Sequence, residues 1–236
     1  MSRIRRASEV AARLVPYRWR WSEDNAELIA AHWARRTAER PAMFDGRVLM
    51  LAGLEAEGER LVAGFFETGY AQMTAWLDLG RPGDGVANGF AMGALRGGDG
   101  GFILGRMGAH TANAAQLYFP AGTPDLGDVT SAGEVDLAGS LLREITEETG
   151  LAEADWTVDP DWTIVEEEGR VAFLRLVRLA ETADAACRRI RAFLATETRP
   201  ELADVAIVSS PADLDEAAVP AFLRTYLSAF WSSQSS

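Results

Sequence analysis

From Phe90 to the end of the chain, short apolar runs alternate with segments of helical character, and this alternation narrows the fold more than any other feature. FAMGALRGGDGGFILGRM reads as a strand, a Gly-Gly-Asp-Gly-Gly turn and a second strand, hence a hairpin. QLYFPAG, Gln116 to Gly122, is a short strand running into a loop. After a long Gly- and Asp-containing stretch, TPDLGDVTSAGEVD, comes a helix from Leu137. VAFLRLVRL is then a strand, TADAACRRIRAFLATE a helix, ELADVAIVSS a strand and DEAAVPAFLRTYLSAFW an amphipathic helix. Such a succession predicts an α/β fold, a mixed sheet covered by helices.

The region before it reads differently. SEDNAELIAAHWARRTAER predicts a helix from Ser22 to Arg40, with Ser22 as its N-cap, acids in the first turn and arginines in the last. Leu28, Ile29, His32 and Trp33 make its apolar face, where His32 is a packed core residue without a catalytic role. GRVLMLAGLEAEGERLVAGFFETGYAQMTAWLDLG has short apolar runs broken by Gly and charged turns, which predicts strands and hairpins. RPGDGVANG, Arg81 to Gly89, is the linker. Two domains follow: an N-terminal α+β extension over 1–85 and a second domain over 86–236.

Charge excludes one class of partner. A formal net charge of −12 and a pI near 4.7 argue against a nucleic-acid backbone, which needs clustered cations. A small phosphorylated substrate stays open, because a bound divalent cation inverts the local field. Cys187 is the single cysteine, so no intrachain disulfide forms and a buried small hydrophobe is its expected role. MSRIRRASEVAARLV lacks the apolar core of a signal peptide, and no apolar run reaches the roughly 18 residues that suggest a membrane span. The expected compartment is the cytoplasm.

The chemistry gathers in LLREITEETGL, Leu141 to Leu151. Asp136 suits an N-cap before Leu137, and Gly150 a left-handed stop. Leu137, Leu141, Leu142 and Ile145 recur at helical spacing and make a buried face. Glu144, Glu147 and Glu148 stand at i, i+3 and i+4 on another face, one turn long. Like charges so placed repel unless a partner sits between them. Three converging carboxylates suit a hard divalent cation, Mg²⁺ or Mn²⁺ rather than zinc, with Arg143 orienting one glutamate. A solvated acidic face accounts equally for the spacing alone.

REITEETGL, Arg143 to Leu151, resembles the second half of the Nudix hydrolase signature, Arg-Glu-apolar-x-Glu-Glu-x-Gly-apolar. FPAG, Phe119 to Gly122, resembles the family's approach to that helix, with Ala121 where the first Gly of Pro-Gly-Gly usually stands. The resemblance implies an α/β/α sandwich and water attack on a diphosphate linkage. It implies Glu144 and Glu148 as principal metal ligands and Glu147 as a ligand or water-activating partner. Arg143 would support them, and the backbone carbonyl near Ala121 or Gly122 would complete the metal shell.

The chain also departs from the family pattern. The signature's Gly and Glu, fourteen and eight residues before the Arg, fall here on Val129 and Val135. Gly122 lies 21 residues before Arg143 (143 − 122), which makes the loop seven residues longer than fourteen. Asp125, Asp128 and Glu134 in that loop read as solvated turn residues.

Two branches share the substrate resemblance. LGRMGAHTANAAQLYFPAGTPDLGD is similar to a segment of Nudix coenzyme A diphosphatases, with Arg106 and Gln116 at the matching separation and His110, Asn113 and Asp125 in the comparable region. By that likeness Arg106, His110 and Gln116 are substrate-binding candidates. The extension, with RPAMFDGRVLML and the long loop, looks like the branch that hydrolyses UDP-sugars. There Tyr70, Trp76 and Tyr118 would offer a stacking surface, unless they are core. Glu166, Glu167 and Glu168 in VEEEGRV are either a source of a general base or a hairpin turn of exposed acids.

Taken together, the expectation is a hydrolase acting on acid anhydrides, a Mg²⁺- or Mn²⁺-dependent Nudix pyrophosphatase. Its substrate is a small nucleoside-diphosphate-linked molecule, and its extension shapes the pocket or a homodimer interface. A Nudix-fold nucleotide-binding module without turnover is the rival expectation.

Overall fold

The computed structural model describes residues 2–83, 85–111 and 113–234. In chain order the strands and helices are β1 (Arg3–Ala7), β2 (Glu9–Leu14), α1 (Arg20–Asp24), α2 (Ala26–Glu39), β3 (Arg47–Glu57), β4 (Arg60–Gly69) and α3 (Tyr70–Asp78). Next come β5 (Asn88–Arg96), β6 (Phe102–Met107), β7 (Leu117–Tyr118), β8 (Ala121–Gly122) and α4 (Leu137–Thr149). The chain continues with β9 (Trp156–Glu167), β10 (Arg170–Leu179), α5 (Ala183–Leu194), β11 (Leu202–Val208) and α6 (Ala221–Gln234). No helix among the described residues is long and apolar enough to cross a membrane.

The chain divides into two compact units. The first holds the N-terminal residues through Glu9, Phe90–Gly122 and everything from Leu137 onward. The second holds Val10–Gly89 and Thr123–Asp136. The division near Gly89 lies close to the linker expected at 81–89. Two segments fall elsewhere than a cut at 85/86 places them: the first strand, and the loop before the glutamate helix.

The larger unit is a mixed sheet with helices on both faces. Strand order is β1-β9-β10-β5-β6-β11, with β7 against β6 and β8 against β5. The hairpin around Gly-Gly-Asp-Gly-Gly forms as expected, closing with Arg96 opposite Phe102. Successive residues of a strand face opposite sides, so Phe90 and Gly93 of β5 look in opposite directions. On one side, a Cβ at Gly93 would come within 2.4 Å of Ile145 Cδ1, so only glycine lets α4 lie this close to the sheet. Helix α5 packs on the same side through buried Cys187 and Ile190. On the other side, Phe222 of α6 meets Phe90 edge-on at 5.7 Å, and Phe230 meets Phe102 at 5.0 Å. The result is an α/β/α sandwich.

The smaller unit has a three-stranded sheet, β2-β4-β3, and helices α1 to α3. Trp19, Met50, Phe66, Met73 and Trp76 form its core, with Ile29, Ala71 and Ala75 in a second cluster. The segment 123–136 is stitched into this sheet rather than left as a free loop. Leu49 N–H donates to the Pro124 carbonyl at 2.8 Å, Leu14 N–H to Gly133 at 2.9 Å, and Val135 N–H to Ala12 at 2.9 Å.

Three expectations need correction. The helix expected from Ser22 to Arg40 is two helices broken at Asn25, and Ser22 lies inside the first instead of capping it. Leu28 is exposed, while Ile29 and His32 carry the buried face. Tyr70–Asp78, read as part of a strand region, is helix α3. Its first-turn N–H at Ala71 is capped by Asp45, 26 residues away, at 2.8 Å. That remote cap supplies a helix start no local pattern shows. Asp128 is buried, and with Asp125 it closes a short turn in which each carboxylate accepts a backbone N–H. Asp128 is thus a buried turn cap rather than a solvated acid, while Asp125 caps the same turn from an exposed position, as a solvated turn residue.

Candidate active site

Helix α4 begins at Leu137 and ends at Thr149, with Gly150 in the left-handed region at φ 67°. Leu137, Leu141 and Ile145 are buried, and Leu142 is partly so. Burying that stripe against the sheet turns Glu144 and Glu148 toward β8.

Glu148 is the unusual member. It is only 7% exposed, and its carboxylate accepts the Ala121 N–H at 3.0 Å. Burial raises its pKa well above the usual carboxylate value. The Ala121 hydrogen bond opposes the shift, while the charges of Glu201, Glu144 and Glu147 add to it. Glu144 is half-buried and lies against Gly122, where any Cβ would overlap its carboxylate. Glu147 points away, with a side chain 63% exposed and its Oε1 4.0 Å from Arg143 Nε.

A buried carboxylate with acids around it and one N–H donor is electrostatically unfavourable when ionised. A divalent cation relieves that cost, and the donor set, carboxylate and backbone oxygen, is that of a hard cation. The fit is incomplete in this arrangement, because no three His, Cys, Asp or Glu side chains among the described residues are disposed as a metal cage. Glu144, Glu148 and the Gly122 backbone are adjacent, while Glu147 would have to turn inward from the helix surface to join them.

The substrate-binding candidates sit on the strands and loop of the same unit. Arg106 Nη1 donates to the Ala115 carbonyl at 3.1 Å, and Arg106 stands opposite Asp204 in the β6/β11 ladder. The Gln116 side chain accepts the Tyr118 hydroxyl at 3.2 Å. Among the described residues neither is hydrogen-bonded or ion-paired to the α4 acids: Arg106 holds Ala115, and Gln116 holds Tyr118 on β7. His110 is exposed and close to Glu201.

Glu201 went unnoticed in the sequence. It precedes β11, and its carbonyl accepts the Gly108 N–H at 2.8 Å. Burial of its carboxyl end raises its pKa, although the residue as a whole is exposed. Of the acids around Glu148 it acts most strongly. No local motif marks it, since only the pairing of β6 with β11 brings it here.

The aromatic candidates are core residues. Trp76 is 1% exposed and donates its indole N–H to the Pro82 carbonyl at 3.0 Å. Tyr118 is buried against Phe222. Tyr70, half-buried, meets Trp33 edge-on at 6.2 Å. Of the hairpin acids, Glu166 pairs with Arg5 at 2.6 Å, and Glu167 accepts from Ser2 at 3.0 Å. Both side chains thus hold the edge strand β1 and its N-terminal flank against β9.

Solved structures with a similar arrangement include a Nudix hydrolase from M. smegmatis, RenU, at 16% identity over 63% of this chain and 86% of that one, with a TM-score of 0.42. The MutT protein of Methanosarcina mazei Go1 matches at 16% identity over 64% and 96%, TM-score 0.40. A C. elegans Ap4A hydrolase matches at 18% identity over 62% and 99%, TM-score 0.40. No protein-family model matches the sequence, and neither does any curated protein. At such low overlap the site stands on its own geometry.

Proposed function

We propose that the chain is a divalent-cation-dependent hydrolase of the Nudix type, cleaving the diphosphate of a small nucleoside-diphosphate-linked molecule. The buried Glu148 carboxylate, held by Ala121 N–H beside Glu144, carries the proposal. A structural acidic face would leave such a group in water, whereas here it is withdrawn from solvent next to other acids. REITEETGL supplies the family resemblance.

Glu144 and Glu148 would hold Mg²⁺ or Mn²⁺, with the Gly122 carbonyl and Glu147 as further ligands. When bound, the cation supplies charge neutralisation on the diphosphate and a lower pKa for attacking water. The chain's own residues do the positioning. Ala121 N–H fixes one Glu148 oxygen, and the bare Cα of Gly122 makes room for the Glu144 carboxylate. Arg143 steers Glu147 across one helical turn. His110, next to Glu201, is the substrate-binding candidate best placed for a phosphate, while Arg106 and Gln116 shape the loop that carries it.

The test is product release from UDP-glucose, ADP-ribose and coenzyme A with Mg²⁺. The first two are followed by phosphatase-coupled phosphate release and the third by chromatography. Turnover of one of them, lost in Glu148→Gln, supports the proposal and chooses the substrate branch. Binding of a nucleotide without any turnover favours the binding module instead.

A further inference from the structure

Between the edge strand β1 and helix α6 lies a half-open cleft of about 130 Å³, lined by Ile4, Arg6, Thr163, Tyr226, Ala229 and Phe230 among others. It belongs to the α6 side of the large sheet, whereas α4 packs on the other side. Arg6 and Thr163 are paired in the β1/β9 ladder, so their side chains emerge together on one face.

Three polar groups of this cleft are unspent, while a fourth, Arg5, is ion-paired to Glu166. Among the described residues the Arg6 guanidinium and the hydroxyls of Thr163 and Tyr226 make no hydrogen bond or ion pair. The other cations nearby are already engaged: Arg5 with Glu166 at 2.6 Å, and Arg178 with both oxygens of Asp159 at 2.8 Å. Arg96 lies over the Phe230 ring at 5.0 Å and donates to the Gly100 carbonyl. Among the described residues Arg6 therefore has no counter-ion, on a chain whose net charge is −12. Tyr226 is 4% exposed, and burial holds its hydroxyl in the protonated, donating form. Ile4, Ala229 and the Phe230 ring supply apolar wall.

We infer that this cleft is a second binding site, for a small anion carrying a compact apolar body, such as an aromatic carboxylate or phosphate monoester. The anionic head meets Arg6, with the Tyr226 and Thr163 hydroxyls as donors, and the apolar body rests on Ile4 and Phe230. Convergent donors at the rim of an apolar recess are the usual makeup of a small-molecule site.

The test is calorimetric titration of the full chain with phenyl phosphate and, separately, benzoate and neutral benzyl alcohol, all in EDTA. The variants are Arg6→Ala, which removes an exposed unpaired cation, Ala229→Met, which fills the cleft, and Glu148→Gln. Thermal melting of each confirms an intact fold. Saturable one-to-one binding of an anionic probe is expected, weakened ~tenfold or more by Arg6→Ala, as loss of a charge-assisted contact implies, and by Ala229→Met. Glu148→Gln should bind as wild type does, which keeps the outcome independent of the proposed hydrolase site. Absence of binding at millimolar probe would overturn the inference, as would affinity matched by benzyl alcohol, unchanged in both cleft variants, or lost in Glu148→Gln.

Discussion

The carboxylate of Glu148 accepts the backbone N–H of Ala121 at 3.0 Å, tying the last turn of α4 to β8, the strand that precedes the long loop. A single N–H does not offset the loss of water around a buried carboxylate with other acids beside it. That imbalance has consequences without any metal present.

A group whose folded-state pKa is raised favours the protonated fold. Glu148 is an acid raised above its unfolded value, so it lowers stability where it is ionised and ceases to do so as pH falls. In EDTA, Glu148→Gln should therefore melt higher than wild type at pH 8. The gap should narrow as pH is lowered through the raised pKa. Melting curves across that range check it, and a variant that melts lower at pH 8 would contradict the electrostatic account.

Gly122→Ala places a Cβ where the Glu144 carboxylate now lies. Forcing that carboxylate aside should cost about 1–3 kcal/mol of stability, as overpacking does, and weaken Mg²⁺ binding at the same time. Urea unfolding with and without Mg²⁺ separates the two effects. A variant equal to wild type in both would show that Glu144 has room elsewhere.

Much of the larger unit was legible in sequence because its signals are local. Asp136, Leu137 and Gly150 bracket α4 within one segment, and Gly97 to Gly101 close the β5–β6 hairpin. What was not legible depends on distant partners. Strand β1 is a strand because it lies along β9, with Arg5 bonded to Glu166 161 residues away. Helix α3 is buried on several sides at Ala71, Met73, Thr74, Ala75 and Trp76, which erases the periodicity that would mark it. In the candidate site, Glu144 and Glu148 follow from helical spacing. The outward turn of Glu147 and the approach of Glu201 do not, since both depend on how α4 and β11 sit on the sheet.

Asp45 gives a check on the smaller unit. It accepts the Ala71 N–H at 2.8 Å, so Asp45→Ala should cost ~0.5–2 kcal/mol, the range for losing a helix cap. Chemical unfolding followed by tryptophan fluorescence would report it through Trp76 and Trp19. No change in stability would mean water replaces the cap without loss.

Turnover should depend steeply on the buried acid. If Glu148 holds the cation, Glu148→Gln should lower kcat/KM ~1,000-fold or more, because several kcal/mol of charge stabilisation go with it. Glu147→Gln, altering a side chain on the helix surface, should cost less. Steady-state rates on whichever substrate is turned over give the ordering, and equal losses would show that Glu147 turns inward as a full ligand.

The most direct measurement is the melting temperature of wild type and Glu148→Gln as Mg²⁺ or Mn²⁺ is titrated. A cation bound only by the folded chain stabilises it by about 2.7 kcal/mol at a hundred times its Kd. The account predicts a rising, saturating melting temperature in wild type and a flat one in Glu148→Gln. An equal rise in both, or none in wild type, would contradict a cation site built on Glu148.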